Sequence, residues 1–286
     1  MELEISRDEL IGALRKVTSI IANRSTLPML SNVLFTAKDN ELCLNTSDLD
    51  ISILTRIPAT VKKEGEATLP AKKLTQMIAM APHEMVHFST DENFSTTVTS
   101  GRFRFCLRGI NPSEFVRLEE RDDDRLILSL PKQDFRKMLQ KITYAVNPEE
   151  SRYLLRGICL NINDGTCTTV GTDGKRLSLV EKILDNGMEL PNEEYIFPIK
   201  LVHEVEKLMD GEGEMKLYVN KSDVTVKFDT TVVNAKLIEG KYPAFRLAIP
   251  KEHEFSVEID RVQLIDVINR VSLVISDVEE NPVRFI

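Results

Sequence analysis

The apolar positions of this chain fall into a register that returns along its length. Ile5, Leu10, Leu14, Val17 and Ile21 are matched about 125 residues later by Leu130, Phe135, Leu139, Ile142 and Val146, and about 129 residues after that by Ile259, Leu264, Ile268, Val271 and Ile275. Within each set the spacing is helical and the stripe covers roughly a third of the circumference. Each set also opens on a helix-start residue. Ser6 and Asp260 stand three before Glu9 and Gln263, and Pro131 suits a first turn in which no N–H is required. The pattern predicts one module copied along the polypeptide.

Between the helices the period changes. After Leu27-Pro28, strand-like runs at Val33–Ala37 and Glu41–Asn45 flank the turn residues Lys38-Asp39-Asn40, and Ile51–Ile57 alternates apolar and polar. A second helix is predicted over Lys72–Ala81, then strands at Met85–Ser89, Phe94–Thr99 and Arg102–Arg108. The order repeats with a helix over 131–146 and strands near Leu155–Asn161, Thr166–Val170 and Arg176–Ile183. A helix at Pro198–Met209 follows, then strands at Met215–Val219, Val224–Phe228 and Val232–Leu237. Short, half-buried strands with helices between them predict an α+β fold, each domain carrying two helices on antiparallel sheets. The expected divisions are 1–120, 126–250 and a third copy beginning at 251–286, with Glu119-Glu120 and Asp122-Asp123-Asp124 in a charged linker.

Composition narrows the class. A net charge of −8 argues against a protein basic over its whole surface, so the distribution of charge matters more than its sum. Arg7, Arg15, Lys16 and Arg24 gather at the first helix, and Lys132, Arg136, Lys137 and Lys141 at its copy. On a helical wheel the sides facing away from the apolar stripes hold Gly12, Arg15, Lys16, Ser19 and Asn23, and Lys137, Gln140, Lys141 and Tyr144. Such a face is either plainly solvated or suited to phosphate oxygens without base readout; the third helix, its charges balanced, adds nothing to the second reading. The wheel and charge argument nominates Lys72, Lys137, Lys141 and Lys200 for that contact. The acidic start lacks the basic and apolar segments of a secretory signal, and no apolar run reaches the ~18 residues of a membrane span, so a cytoplasmic protein is expected. Cys43, Cys106, Cys159 and Cys167 stand singly in strand-like runs and are expected to be buried reduced thiols.

Two motifs invite chemistry and fail on context. His83-Glu84-Met85-Val86-His87 has the letters of a zinc-protease helix, but Pro82 precedes it and Val86–Ser89 alternates as a strand. Gly171-Thr172-Asp173-Gly174-Lys175-Arg176 lacks the first glycine and the Ser/Thr of a phosphate loop, and a strand follows where a helix is required. Asp48 holds the position of Asp173 in the first copy, which makes the aspartate a turn residue of the module. No nucleophile–base set stands at catalytic spacing, so neither an enzyme, a cofactor nor a metal is expected. A phosphate-handling enzyme using Asp173 and Lys175 would instead need nucleotide affinity that Asp173→Asn removes.

Several stretches together resemble the bacterial DNA polymerase sliding clamps, the β subunits of the replicative polymerase. They are Arg24-Ser25-Thr26-Leu27-Pro28-Met29-Leu30, Ser47-Asp48-Leu49-Asp50, Pro70-Ala71-Lys72-Lys73, Arg152-Tyr153-Leu154-Leu155-Arg156-Gly157, Thr172-Asp173-Gly174-Lys175-Arg176-Leu177 and Gly240-Lys241-Tyr242-Pro243. The resemblance implies a ring of repeated domains that encircles duplex DNA and tethers a polymerase, performing no chemistry. It implies as partners double-stranded DNA, the replicative DNA polymerase, a clamp loader, other proteins with clamp-binding motifs and, in the complete protein, a second copy in a homodimer. It places Arg24 near DNA. It also implies a cleft for a short peptide with a glutamine and apolar residues, lined here by Arg152, Leu155, Thr172, Gly174, Arg176, Leu177 and Pro243, with Lys175 where many members have histidine. From the residues alone, Leu155 and Leu177 are equally groove anchors or ordinary core. If they are groove anchors, Leu155→Asp should abolish peptide binding and leave melting unchanged. The chain reaches Ile286 about 80–90 residues before its own repeat length would complete a third domain. A fragment that cannot close a ring is therefore expected, and a monomeric two-domain adaptor binding clamp-interacting peptides is the competing reading.

Overall fold

In the computed structural model, residues 1–21, 27–118, 125–184 and 192–273 are described. The first repeat runs β1 (Glu2–Ser6), α1 (Arg7–Val17), β2 (Asn32–Lys38), β3 (Glu41–Ser47), β4 (Ile51–Pro58), β5 (Thr60–Lys63), β6 (Gly65–Pro70), α2 (Ala71–Ala79), β7 (Met85–Thr90), β8 (Ser95–Ser100) and β9 (Phe103–Arg108). The second runs β10 (Arg125–Pro131), α3 (Lys132–Ile142), β11 (Gly157–Asn163), β12 (Thr166–Thr172), β13 (Leu177–Ile183), β14 (Glu193–Pro198), α4 (Ile199–Leu208), β15 (Glu214–Val219), β16 (Asp223–Phe228) and β17 (Thr231–Lys236). The order is the same in both, except that β5 has no counterpart among the described residues of the second. The fold is α+β, as the alternation of periods requires.

The helices form where the stripe predicts and stop sooner. Ser6 caps α1 by accepting from the Glu9 N–H, and Leu10, Leu14 and Val17 are fully buried. A 3₁₀ turn at Thr18–Ile20 replaces the last predicted α-turn, and Thr143–Ala145 does the same after α3. In α3 the buried set is Phe135, Met138, Leu139 and Ile142. Each such side chain removed from water contributes about 1.5–3 kcal/mol. Both helices pack on the paired second helix of their repeat and on the matching strands, α1 on α2, β3 and β4, α3 on α4, β12 and β13.

The repeat extends to the turns. Asp39 and Asn40 have φ of 51° and 57°, the primed turn of a two-residue hairpin, and Asp164 and Gly165 repeat it at 46° and 72°. The strands are antiparallel throughout, in the orders β5-β1-β7-β8-β9, β13-β12-β11-β14 and β10-β15-β16-β17-β4-β3-β2-β6. The last sheet is continuous across the repeats because β17 pairs with β4, Val233 opposite Ile53 and Thr231 opposite Thr55. The Thr55 and Thr231 hydroxyls, both buried, lie 3.2 Å apart. Met1–Tyr242 forms one compact unit and Pro243–Ile286 another. The second holds α5 (Arg261–Ser272), capped by Asp260 accepting from the Gln263 N–H at 2.9 Å, and none of its residues is buried. Of the stripe predicted there, Ile268 and Val271 are exposed and Ile275 lies outside the described residues.

Two of the four thiols depart from the expected burial. Cys159 and Cys167 are buried, and burial pushes the Cys167 thiol up to about 12. Cys43 is half-buried and Cys106 is exposed on β9, whose outer edge has no strand beside it among the described residues. His87 lies in β7 with Nδ1 3.5 Å from Glu4, and His83 sits in the turn before it over Gly101, so the helix a zinc-protease motif needs is not formed. Among the described residues no helix is long and apolar enough to cross a membrane.

Candidate nucleic-acid interface and peptide cleft

The helix face opposite the core is exposed in both repeats. On α1 it presents Gly12 and Arg15, with Lys16 half-buried; on α3 it presents Lys137, Gln140 and Lys141, followed by Tyr144. Lys137 and Lys141 form no ion pair among the described residues. The acid on that helix, Asp134, is bound by Lys182 at 2.8 Å, and that hydrogen bond holds its carboxyl below the usual range. The face therefore keeps its positive charge.

Not every cation counted in the sequence belongs to it. Lys132 is buried, with its ammonium 2.8 Å from Asp229 and 2.9 Å from the Asp210 carbonyl. Arg7 donates to Asp8 and to the Ala81 carbonyl, tying the start of α1 to the end of α2. Arg136 is paired with Asp210 at 3.4 Å. Lys132 and Arg7 are structural, because a helix start packed against neighbouring carbonyls is where such a cation finds acceptors, whereas Arg136 is half-exposed and its Asp210 partner is open to solvent. Lys72 is exposed in the first turn of α2. Lys200 is ion-paired with Asp48 of the first repeat, so its charge is partly spent inside the protein. Arg24 lies outside the described residues, as does the linker 119–124.

The candidate cleft is built on the turn between β12 and β13. Asp173 Oδ1 accepts the N–H groups of Lys175 and Arg176 at 3.0 Å, and Oδ2 accepts Arg176 Nε at 3.0 Å. Burial pushes its carboxyl up, but these donors outweigh it and hold the group below the usual range. Asp48 makes the same turn in the first repeat, accepting from Asp50 and Ile51. There Leu49 takes φ of 80° where Gly174 takes 81°. The glycine has a further reason: a Cβ on it would meet Arg152 Nη2 at 2.2 Å. Arg152 lies over this turn, donating to the Asp173 carbonyl at 2.8 Å and to Glu150 at 2.9 Å. Hydrogen bonds from the Arg152 side chain and its backbone N–H pull the Glu150 carboxyl down to about 2. Thr172 Oγ1 accepts the Gly174 N–H and donates to the Arg176 carbonyl at 2.6 Å.

Arg152, Thr172, Gly174 and Arg176 are thus brought together by one hydrogen-bonded turn, with Lys175 exposed at its tip and Leu177 half-buried at the start of β13. The Arg176 guanidinium stands 6.0 Å from the centre of the Tyr144 ring, a cation–π contact joining the turn to the end of α3. Leu155 is only 2% exposed. A carboxylate there would be buried, so the expectation that Leu155→Asp spares the melting transition is corrected. Pro243 belongs to the second compact unit. Tyr153, beside Arg152, is an exposed aromatic that the periodicity did not single out. It borders a groove of about 620 Å³ with Asp50, Pro198, Lys200 and Lys236. These residues come from both repeats and meet only because β4 pairs with β17, a juxtaposition no local pattern signals.

Comparison with known proteins follows this geometry. Residues 1–119 match the family model for the N-terminal domain of the DNA polymerase III beta subunit, and residues 129–244 that for its central domain. The chain is 32% identical over 275 residues to the beta sliding clamp of Chlamydia pneumoniae, an alignment spanning 96% of this chain and 74% of that one. The crystal structure of the DNA polymerase sliding clamp from Bacillus subtilis superposes with a TM-score of 0.92 at 23% identity, over 98% of this chain and 76% of the other. A sliding clamp from Pseudomonas aeruginosa, solved bound to griselimycin, gives a TM-score of 0.86 at 27% identity, over 96% and 74%.

Proposed function

The chain belongs to the family of the DNA polymerase III beta subunit, the bacterial sliding clamps, and on that premise we propose that it holds double-stranded DNA without reading its sequence and tethers a replicative polymerase to it. The observation that carries this is the exposed cationic side of α3, matched by the same side of α1 in the other repeat. Lysines there neutralise phosphates and release counterions, which gives affinity indifferent to base sequence. Lys137 and Lys141 are assigned the main phosphate contacts, with Lys72, Lys200 and Arg24 as further ones. We divide the chain into clamp domains at 1–120, 126–250 and 251–286, and assign it no reaction and no cofactor.

The turn 172–177 with Arg152 is proposed as the peptide cleft, Leu155 forming its floor. The Pseudomonas relative bound to griselimycin supports a ligand site in this family. Through the cleft the chain would take the polymerase, a clamp loader and other proteins carrying the motif, and it would work in the cytoplasm; a homodimer is proposed for the complete ring. The adaptor reading is not favoured, since the likeness to clamps spans nearly all of the chain and both repeats.

A labelled peptide of one glutamine and a short apolar run tests the cleft directly. Arg152→Ala is expected to weaken it about tenfold or more, as loss of an interface arginine does. Unchanged affinity would remove the assignment.

A further inference from the structure

The turn 172–177 has a copy where the two repeats join. Ser47 and Ser52 stand opposite each other across β3 and β4 as Thr172 and Leu177 do across β12 and β13, and Asn45 opposite Leu54 repeats Val170 opposite Leu179. Between the paired ends, Leu49 and Asp50 take the places of Gly174 and Lys175. This copy borders a pocket of about 220 Å³. Leu49, Asp50 and Ser52 line it from the first repeat, with Val116 from the segment after β9, and Asp223 and Lys236 line it from the second. It is a different cavity from the groove beside Tyr153, although Asp50 and Lys236 border both.

The copied positions have changed chemistry. Lys175 corresponds to Asp50, Leu177 to Ser52, and the fully buried Val170 to Asn45. A cation is exchanged for an acid, and apolar positions for hydrogen-bonding ones. What the pocket leaves open is mostly acceptors. Asp50 makes no side-chain hydrogen bond or ion pair among the described residues. The Ser52 hydroxyl spends its proton on Ser47 Oγ at 2.9 Å, which leaves its own oxygen to accept. Asn45 is 4% exposed; its Nδ2 donates to the carbonyl of Leu118, another lining residue, at 3.4 Å, and its Oδ1 accepts from no described residue. A buried amide oxygen without a donor costs stability that the valine of the other copy does not. Packing gives no reason for the asparagine, and a donor entering beside Leu118 does. Of the cations nearby, Arg117 is bound by both Glu66 oxygens at 2.8 and 3.0 Å, and Lys236 stands opposite Asp223 in the sheet.

We propose that this pocket is a second docking site, which takes an arginine of a protein partner flanked in its own sequence by apolar residues. A guanidinium carries five donors and no acceptor, which suits Asp50, the Ser52 hydroxyl oxygen and the Asn45 amide oxygen. Leu49 and Val116, 49% and 45% exposed, offer apolar surface to the flanking residues. At about 220 Å³ the pocket is smaller than the ~300–1,000 Å³ of a site for a whole small molecule, and is of a size for one side chain. That the occupant is a peptide rests on reading 172–177 as a peptide cleft; the location of the site and the charge it selects do not.

Fluorescence anisotropy of a capped, labelled Ala-Leu-Arg-Leu-Ala peptide with the intact 286-residue chain tests it. Saturable binding is expected, weakened about tenfold or more by Asp50→Lys, by Ser52→Leu or by citrulline in place of the arginine, as loss of a hydrogen bond to a charged group does. Glu92→Lys, the same change of charge at an exposed acid between β7 and β8, should leave it unchanged. Asn45→Val should weaken binding without lowering the melting temperature, which the loss of a purely structural asparagine would lower. Arg152→Ala should spare this peptide while weakening the glutamine peptide. Binding of the arginine peptide with none of the glutamine peptide would sink the cleft reading and leave this one standing. No saturable binding, equal weakening by Asp50→Lys and Glu92→Lys, or undiminished binding to Asn45→Val and Ser52→Leu would each overturn the proposal.

Discussion

Lys132 decides more than its place in a basic helix suggests. Its side chain is 3% exposed, and its ammonium is held by the half-exposed Asp229 and one carbonyl. Asp229→Ala leaves that charge with too few acceptors and is expected to cost about 2 kcal/mol in a denaturant titration. Lys132→Met, which removes the charge with its partner's reason for being there, should cost less. Leu155→Asp is expected to lower the melting temperature sharply, since a carboxylate replaces a buried apolar group. The Glu150–Arg152 pair fixes a pH dependence. With the Glu150 carboxyl drawn from 4.5 to about 2, its contribution is complete above 4.5 and is lost only as pH falls through about 2. Peptide affinity should therefore be level from about pH 8 down to about pH 5 if this pair sets the position of Arg152; a rise or fall in that window would point to another group. Sequence alone could count Lys132 as a surface cation, because burial of a lysine depends on acceptors almost 80 and 100 residues away.

At the scale of elements, the repeated helices and the Asp48 and Asp173 turns were readable because their signals are local: a stripe, a cap, an aspartate bonding the N–H groups two and three residues on. β1, β5, β6, β10 and β14 were not read, although Leu3 and Ile5 alternate with Glu2 and Glu4. Short strands beside helix starts carry too few positions to establish a period. The turns also separate the two copies. Leu49 is held at φ of 80°, where a side chain is strained, and Leu49→Gly should stabilise the protein by up to about 1 kcal/mol in thermal unfolding. The opposite exchange, Gly174→Ala, should destabilise by about as much and weaken the peptide, because its Cβ would displace Arg152. Equal melting temperatures for the parent and Gly174→Ala would contradict this account of the turn.

For the molecule as a whole, the informative event is nonlocal. β4 and β17 lie about 180 residues apart in the chain, so neither the continuous sheet nor the groove beside Tyr153 was visible in the sequence. Charge followed the same logic. A chain with a net charge of −8 keeps Lys137 and Lys141, without an ion pair among the described residues, on the outer side of α3 and engages Lys132 and Lys200 in internal pairs. The most direct measurement of the central claim is the salt dependence of binding to duplexes of unrelated sequence. The account predicts equal affinity for all of them, and for Lys137→Glu with Lys141→Glu a weaker affinity whose log–log salt slope is smaller by about two. A slope unchanged by the double variant, or a preference for one sequence, would contradict it.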